Sequence, residues 1–261
     1  MLKTRVIPTL LWKGIGLVKG IGFDSWRGIG TVMPALKIYN ARDVDELILL
    51  DISATPEFRE PDFDAISDLT AECFVPLTFG GGVRSVDTIR KLLCAGADKV
   101  AINTVAYENT TLVCKAANMF GSQCVVASID ARRRDNGSYE CYSHSGTRAT
   151  GRNVVQHAQW LESQGAGEIL VTSIDRDGTM KGYDLELVRL VTRHVRIPVI
   201  ASGGAGRLDD FVMAVRDADA SAVAAASIFH FTEHTPAEVK VFMAANEIRV
   251  RSSVPGIVRR F

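Results

Sequence analysis

Short apolar runs alternate with stretches whose apolar residues recur at helical spacing, from one end of the chain to the other. The runs at 5–12, 46–52, 75–79, 98–103, 124–131, 168–173, 199–202 and 222–226 are continuous rather than alternating, which predicts strands buried on both faces of a parallel sheet. Helices are expected at 32–43, 63–73, 85–95, 108–119, 153–163, 185–193, 208–215 and 236–245. Ile89, Leu92 and Leu93 share one face of the third, and Leu187, Leu190 and Val191 one face of the sixth. Eight strands alternating with eight helices close into a (β/α)8 barrel, here a single domain over residues 1–251 with a frayed tail at 252–261.

Two segments break the alternation. Residues 13–31 carry Gly14, Gly16, Gly20, Gly22, Gly28 and Gly30, which predicts a long mobile loop, and long loops in compact domains tend to be functional. At 132–145 the dipeptide Asn136-Gly137 marks a hairpin turn, with 139–142 on the returning arm.

The pattern also repeats. Val75-Pro76-Leu77-Thr78-Phe79-Gly80-Gly81-Gly82 and Ile197-Pro198-Val199-Ile200-Ala201-Ser202-Gly203-Gly204 each run from an apolar strand into glycines and a helix. Glu46 and Glu168, and Pro76 and Pro198, are each 122 residues apart. Internal duplication is expected, with half-barrels at about 1–121 and 122–251.

Such barrels carry their chemistry at the C-terminal ends of the strands. Gly81 and Gly82 follow the third strand, and Asn103-Thr104 closes the fourth. Gly203 and Gly204 follow the seventh, and Ala226-Ser227 closes the eighth. Glycine backbone N–H groups and hydroxyls at helix starts suit anions, so two phosphate sites are expected on opposite sides of the mouth. A lone glycine run would suit a tight turn equally well; two copies at matching strands favour phosphate. Between them lie carboxylates: Asp130 closes the fifth strand, Asp51 the second, and Asp175 and Asp177 follow the sixth. Asp130 is the best candidate acid or base, whereas Asp51 and Asp175 could equally cap helices or pair with cations. Aligning Val6 with Val125 puts Leu11 where the fifth strand has Asp130. Lys19, in the glycine-rich segment, could close over an anionic substrate. At the strand starts, Arg5, Glu46, Lys99 and Glu168 could form a ring across the barrel axis, although spacing alone argues this weakly.

Composition narrows the class. Thirty basic and thirty acidic residues cancel, so nothing points to nucleic acid or a membrane surface. Five cysteines form no CxxC pair, which fits buried small hydrophobes in a reducing cytoplasm rather than disulfides or a metal site. The apolar run at the N-terminus stops at Lys13, too short for a signal peptide or a membrane span.

Over about residues 1–250 the chain resembles the cyclase subunit of imidazole glycerol phosphate synthase. The resemblance rests on Leu49-Leu50-Asp51-Ile52, Phe79-Gly80-Gly81-Gly82-Val83-Arg84, Asp98-Lys99-Val100-Ala101-Ile102-Asn103-Thr104, Gly165-Ala166-Gly167-Glu168, Ser173-Ile174-Asp175-Arg176-Asp177-Gly178-Thr179 and Ser227-Ile228-Phe229-His230-Phe231. It implies a heterodimer with a glutaminase subunit, whose ammonia crosses the barrel and reacts at the top with a nucleotide bearing two phosphates. No cofactor or metal is implied. By the resemblance Asp130 and Lys19 are catalytic. Gly82, Asn103 and Thr104 bind one phosphate; Gly204, Ala226 and Ser227 bind the other; Thr172 and Asp177 touch substrate. Arg5, Glu46, Lys99 and Glu168 gate the ammonia entrance, and Asp98 meets the glutaminase.

One departure stands out. The family closes its first strand with a catalytic aspartate, and here the stretch is Thr9-Leu10-Leu11-Trp12, with Leu11 at that position. This resembles a branch encoded with surface-polysaccharide genes, thought to relay ammonia to a sugar-amidating enzyme. Three functions follow as expectations: an ammonia-relaying barrel, an active histidine-pathway cyclase, and, last, the related sugar-phosphate isomerase, which would need the strand-one aspartate and no gate.

Overall fold

The computed structural model describes residues 3–42 and 44–251; the expected tail at 252–261 lies outside them. The chain opens with β1 (Arg5–Lys13), β2 (Gly16–Ile21), β3 (Asp24–Gly30) and α1 (Val32–Ala41). Then come β4 (Leu47–Asp51), α2 (Phe63–Ala71), β5 (Leu77–Gly80), α3 (Val86–Cys94) and β6 (Lys99–Ile102). Two helices follow, α4 (Thr104–Glu108) and α5 (Leu112–Phe120), then β7 (Val125–Arg133), β8 (Tyr139–Ser143), β9 (Arg148–Asn153) and α6 (Val154–Ser163). The chain continues through β10 (Glu168–Ser173), α7 (Leu185–Thr192), β11 (Val199–Ser202), α8 (Leu208–Arg216), β12 (Ala222–Ala225), α9 (Ser227–Phe231) and α10 (Pro236–Ala245).

Strands β1, β4, β5, β6, β7, β10, β11 and β12 pair in parallel in that order, and β12 returns to β1 through Arg5↔Ala222 to Pro8↔Ala225. The fold is therefore a closed eight-stranded (β/α)8 barrel. Its interior is filled by Ile7, Ile48, Val126, Leu170 and Ile200, with Ala101, Ala222 and Ala224. The period of two in a strand turns the intervening residues, such as Val6, Leu49 and Ile169, outward onto the helices, where Ile66, Ile89, Leu187 and Phe211 meet them.

The glycine-rich segment is not a loop. It forms the antiparallel pair β2–β3, which extends β1 through Leu11↔Val18. Gly14 and Gly22 take the left-handed turns (φ 59° and 61°), so these glycines make reversals at the two ends of a short strand. The expected hairpin after the fifth barrel strand is present: β7 runs on to Arg133 and β8 returns beside it, with β9 added beyond. Barrel strands one and five thus each carry a two-stranded antiparallel wing. The fourth expected helix starts later than expected, as α5 at Leu112, because Asn109 and Thr111 turn the chain between it and the short α4. Among the described residues no helix is long and apolar enough to cross a membrane.

Behind the fifth barrel strand, the His157 ring is stacked between Tyr107, 4.3 Å away, and Trp160, 5.5 Å away. His157 is 2% exposed, and neither ring nitrogen has a hydrogen-bond partner among the described residues. Burial, helped by Arg152, pulls its pKa down to about 3. The unfolded chain protonates this histidine below about pH 6.5, whereas the folded chain resists. Its contribution is present near neutrality and is lost as pH falls from about 6.5 towards 3. His157→Phe is expected to stabilise the fold by about 1–3 kcal/mol, because an unsatisfied buried polar group is removed. The variant should also show a flatter stability profile across that pH window in urea titrations.

Candidate functional site

The C-terminal ends of the barrel strands surround an open cavity. Lys19, Gly82, Asn103, Thr104, Asp130, Thr172, Asp177, Gly204, Ala226 and Ser227 line it, as do Asp51, Gly81 and Gly203, whereas Asp175, also expected at the mouth, does not. Leu11 lines it too.

The glycine turns are built alike. Gly81 and Gly82 have φ of 105° and 69°, and Gly203 and Gly204 of 87° and 111°. A Cβ on Gly81 would lie 2.1 Å from the Asp51 carbonyl oxygen, and one on Gly204 2.3 Å from that of Gly182. Only glycine fits either place. The Gly82 N–H already donates to Thr55 Oγ1 at 3.1 Å, so it is not a free anion donor as it stands. Sequence periodicity missed the two five-residue helices α4 and α9, which begin at Thr104 and Ser227. The residues before them, Asn103 and Ala226, have closely similar backbones, φ/ψ −122°/−85° and −130°/−64°. Asn103 Oδ1 and Ser227 Oγ are buried without a protein partner among the described residues, as expected of atoms that meet a ligand.

Asp130 projects into the cavity from β7. Burial raises its pKa to about 7; the Asn103 side-chain amide, donating to Oδ2 at 2.7 Å, opposes the rise, and the Asp177 charge adds to it. A carboxyl titrating near neutrality can both take and give a proton there. Asn103→Ala should push the Asp130 midpoint above 7, readable by carbon-13 NMR of the labelled carboxyl; a midpoint that falls instead would remove the amide from this role.

Lys19 is not an exposed loop lysine. It lies on β2, 4% exposed, with Nζ 2.7 and 2.8 Å from the two carboxylate oxygens of Asp177. The Gly22 N–H donates to the Asp177 carbonyl at 2.9 Å, and a Cβ on Gly146 would lie 2.7 Å from the Phe23 ring. The β2–β3 wing is therefore folded over the mouth and touches the β8–β9 wing. Non-glycine residues with left-handed backbone gather here: Phe23, Phe58, His144, Ser145 and Met180 lie on loops at this end, and Ser25 is the second residue of β3.

Asp51 and Asp175 do structural work. Asp51 Oδ1 accepts from the Ser53 and Ala54 N–H groups, each at 3.0 Å, and Oδ2 pairs with Arg59 at 2.9 Å. Asp175 accepts from the Arg133 N–H at 3.0 Å and pairs with Arg132.

At the opposite end the four charges close a ring. Arg5 reaches Glu46 at 2.6 Å and Glu168 at 2.9 Å, and Lys99 reaches Glu46 at 3.1 Å and Glu168 at 3.2 Å. Thr78 Oγ1 donates to Glu46 at 2.8 Å. Burial alone would lower the Arg5 pKa, yet Glu168 and Glu46 raise it above its usual value. Asp98, the neighbour of Lys99, is exposed and accepts from the Leu77 N–H at 2.8 Å.

A family model described as "Histidine biosynthesis protein" matches residues 5–235. The chain belongs to the histidine biosynthesis protein family. The match spans both ends of the barrel, from Arg5 in the ionic ring to the α9 helix behind Ser227. In this family member the cavity is lined by Asp51, Asp130 and Asp177, with a leucine 8% exposed at the first-strand position aligned with Asp130.

Proposed function

We infer that this barrel, of the cyclase type of imidazole glycerol phosphate synthase, takes up ammonia through the ionic ring and delivers it at the upper cavity without closing an imidazole ring itself. The carrying observation is the contrast between the two ends. The ring of Arg5, Glu46, Lys99 and Glu168 is complete, whereas the cavity presents Asp130 without a second acid at Leu11. Leucine cannot transfer a proton, and loss of a general acid or base costs about 10²–10⁴-fold in rate. On this reading a glutaminase subunit docks beside the ring, where Asp98 is exposed, in a cytoplasmic heterodimer. The nitrogen passes to an enzyme that amidates a sugar nucleotide to an acetamidino group. The twin wings on barrel strands one and five support an origin by half-barrel duplication.

An active cyclase is the second reading. It is favoured by the Asp130 carboxyl poised near 7 and by a cavity lined by Gly82, Asn103 and Thr104, by Gly204, Ala226 and Ser227, the two sets expected to hold phosphates, and by Lys19, Thr172 and Asp177. The sugar-phosphate isomerase reading has neither a strand-one aspartate nor a use for the ring.

Turnover of the bis-phosphorylated ribulosyl-formimino nucleotide with ammonium salt at alkaline pH separates these readings, because free ammonia removes any need for the glutaminase. The purified chain is expected to be inactive. Turnover at ordinary cyclase rates would overturn the relay.

A further inference from the structure

Above the ionic ring and the Thr78 hydroxyl tied to Glu46, and below the acids of the mouth, the described barrel interior is apolar except at one level. Reading up β1, the inward residues are Arg5, Ile7, Thr9 and Leu11; up β7 they are Val126, Ser128 and Asp130; and Ser202 stands two residues above Ile200 on β11. Ile7, Val126 and Ile200 belong to the apolar filling, and Thr9, Ser128 and Ser202 line the bottom of the upper cavity above it. Their strands lie well apart around the barrel, so three hydroxyls converge on the floor from different sides.

Thr9 is the informative one. It is 8% exposed, and its Oγ1 is buried with no hydrogen-bond partner among the described residues. Valine has the same shape and would avoid the penalty of an unsatisfied buried hydroxyl. A hydroxyl at this place therefore needs a partner that is not protein. The space above the apolar layer is continuous with the cavity, so a small molecule can reach it. An ion of either sign is a poor candidate for that partner, because the layer beneath is aliphatic and Thr9, Ser128 and Ser202 bring no charge to offset its desolvation. A neutral molecule that both donates and accepts hydrogen bonds fits, since each hydroxyl can do either.

We propose that Thr9, with Ser128 and Ser202, forms a binding station for one molecule of neutral ammonia on the cavity floor, directly below Asp130. This rests on the relay reading and adds where the nitrogen pauses after crossing the apolar layer. Water offers the same hydrogen bonds, so the test separates the two.

The probe is hydroxylamine, a neutral ammonia analogue with two heavy atoms, soaked at slightly alkaline pH into crystals of the full chain and of Thr9→Ser and Thr9→Val. An elongated two-atom density within hydrogen-bond distance of Thr9 Oγ1 is expected in the natural chain. The serine variant should retain it and the valine variant should lose it. Thr9→Val should melt at the same temperature as the natural chain or higher, because no protein partner is lost. A single-atom density unchanged by the soak would mean ordinary water and overturn the assignment. So would binding that persists in Thr9→Val, or a clear fall in its melting temperature. Failure of the relay is read separately: a chain that binds hydroxylamine at Thr9 but never receives nitrogen from a glutaminase keeps the station and loses the conduit.

Discussion

Leu11→Asp is expected to confer cyclase turnover on this chain, at least about 10²–10⁴-fold above the natural chain with ammonium salt. The substitution places a carboxyl in the cavity that Asp130 already lines. Asp130 is held near 7 chiefly by burial, so a second carboxyl facing it would share a proton with it, and the pair would titrate in two steps. One member is then charged and the other protonated near neutrality, the condition for base and acid to act on one substrate. The substitution also carries a cost. Leu11 pairs across to Leu50 and Val18, and a carboxyl there loses apolar contact, so a stability loss of about 1–3 kcal/mol is expected. Steady-state assay at matched folded fraction separates the two effects. A variant that is folded, binds the nucleotide and remains inert would show that Leu11 is not the missing element.

Glu46→Ala should destabilise the fold by about 3–5 kcal/mol, since it breaks a buried charge network by removing one member. Glu46 is 2% exposed and is the acceptor for Arg5, Lys99 and Thr78 together. Its loss leaves two cations competing for Glu168 and a buried hydroxyl without its acceptor. Glu46→Gln keeps the acceptor for Thr78 and should cost less. The urea midpoint at unchanged m-value is the measurement. A change below about 0.5 kcal/mol would mean that the ring behaves like exposed surface pairs.

The strands and the outer helices were legible because burial on both faces of a strand and on one face of a helix leaves different periods. The expected bounds of β10, β11 and α10 coincide with those observed. The β2–β3 wing was illegible for a physical reason. Glycine marks a loop, but it equally marks the left-handed turns at the ends of a short antiparallel pair, and only the pairing with β1 tells them apart. Helices of five residues, α4 and α9, are too short to show a helical period. Position ranked Asp130 above Asp51 and Asp175 but left the structural role of those two open, because all three close or follow strands. What distinguishes them is company: Arg59 and Arg132 supply cations to the first two, while Asp130 accepts from the Asn103 amide and feels the Asp177 charge. The ionic ring was weak in sequence because its members stand up to 163 residues apart, and only barrel closure brings Arg5 to Glu168.

The left-handed residues around the mouth bear on how this barrel could be made hardier. Phe23, Ser25, Phe58, His144, Ser145 and Met180 each hold a conformation that glycine or asparagine would adopt with less strain, worth about 1 kcal/mol apiece. A laboratory selection for heat resistance alone would therefore find its easiest gains at these positions. If those same changes slacken the roof over Lys19 and Asp177, thermal hardiness and the proposed nitrogen delivery would pull the sequence in opposite directions at the same six positions.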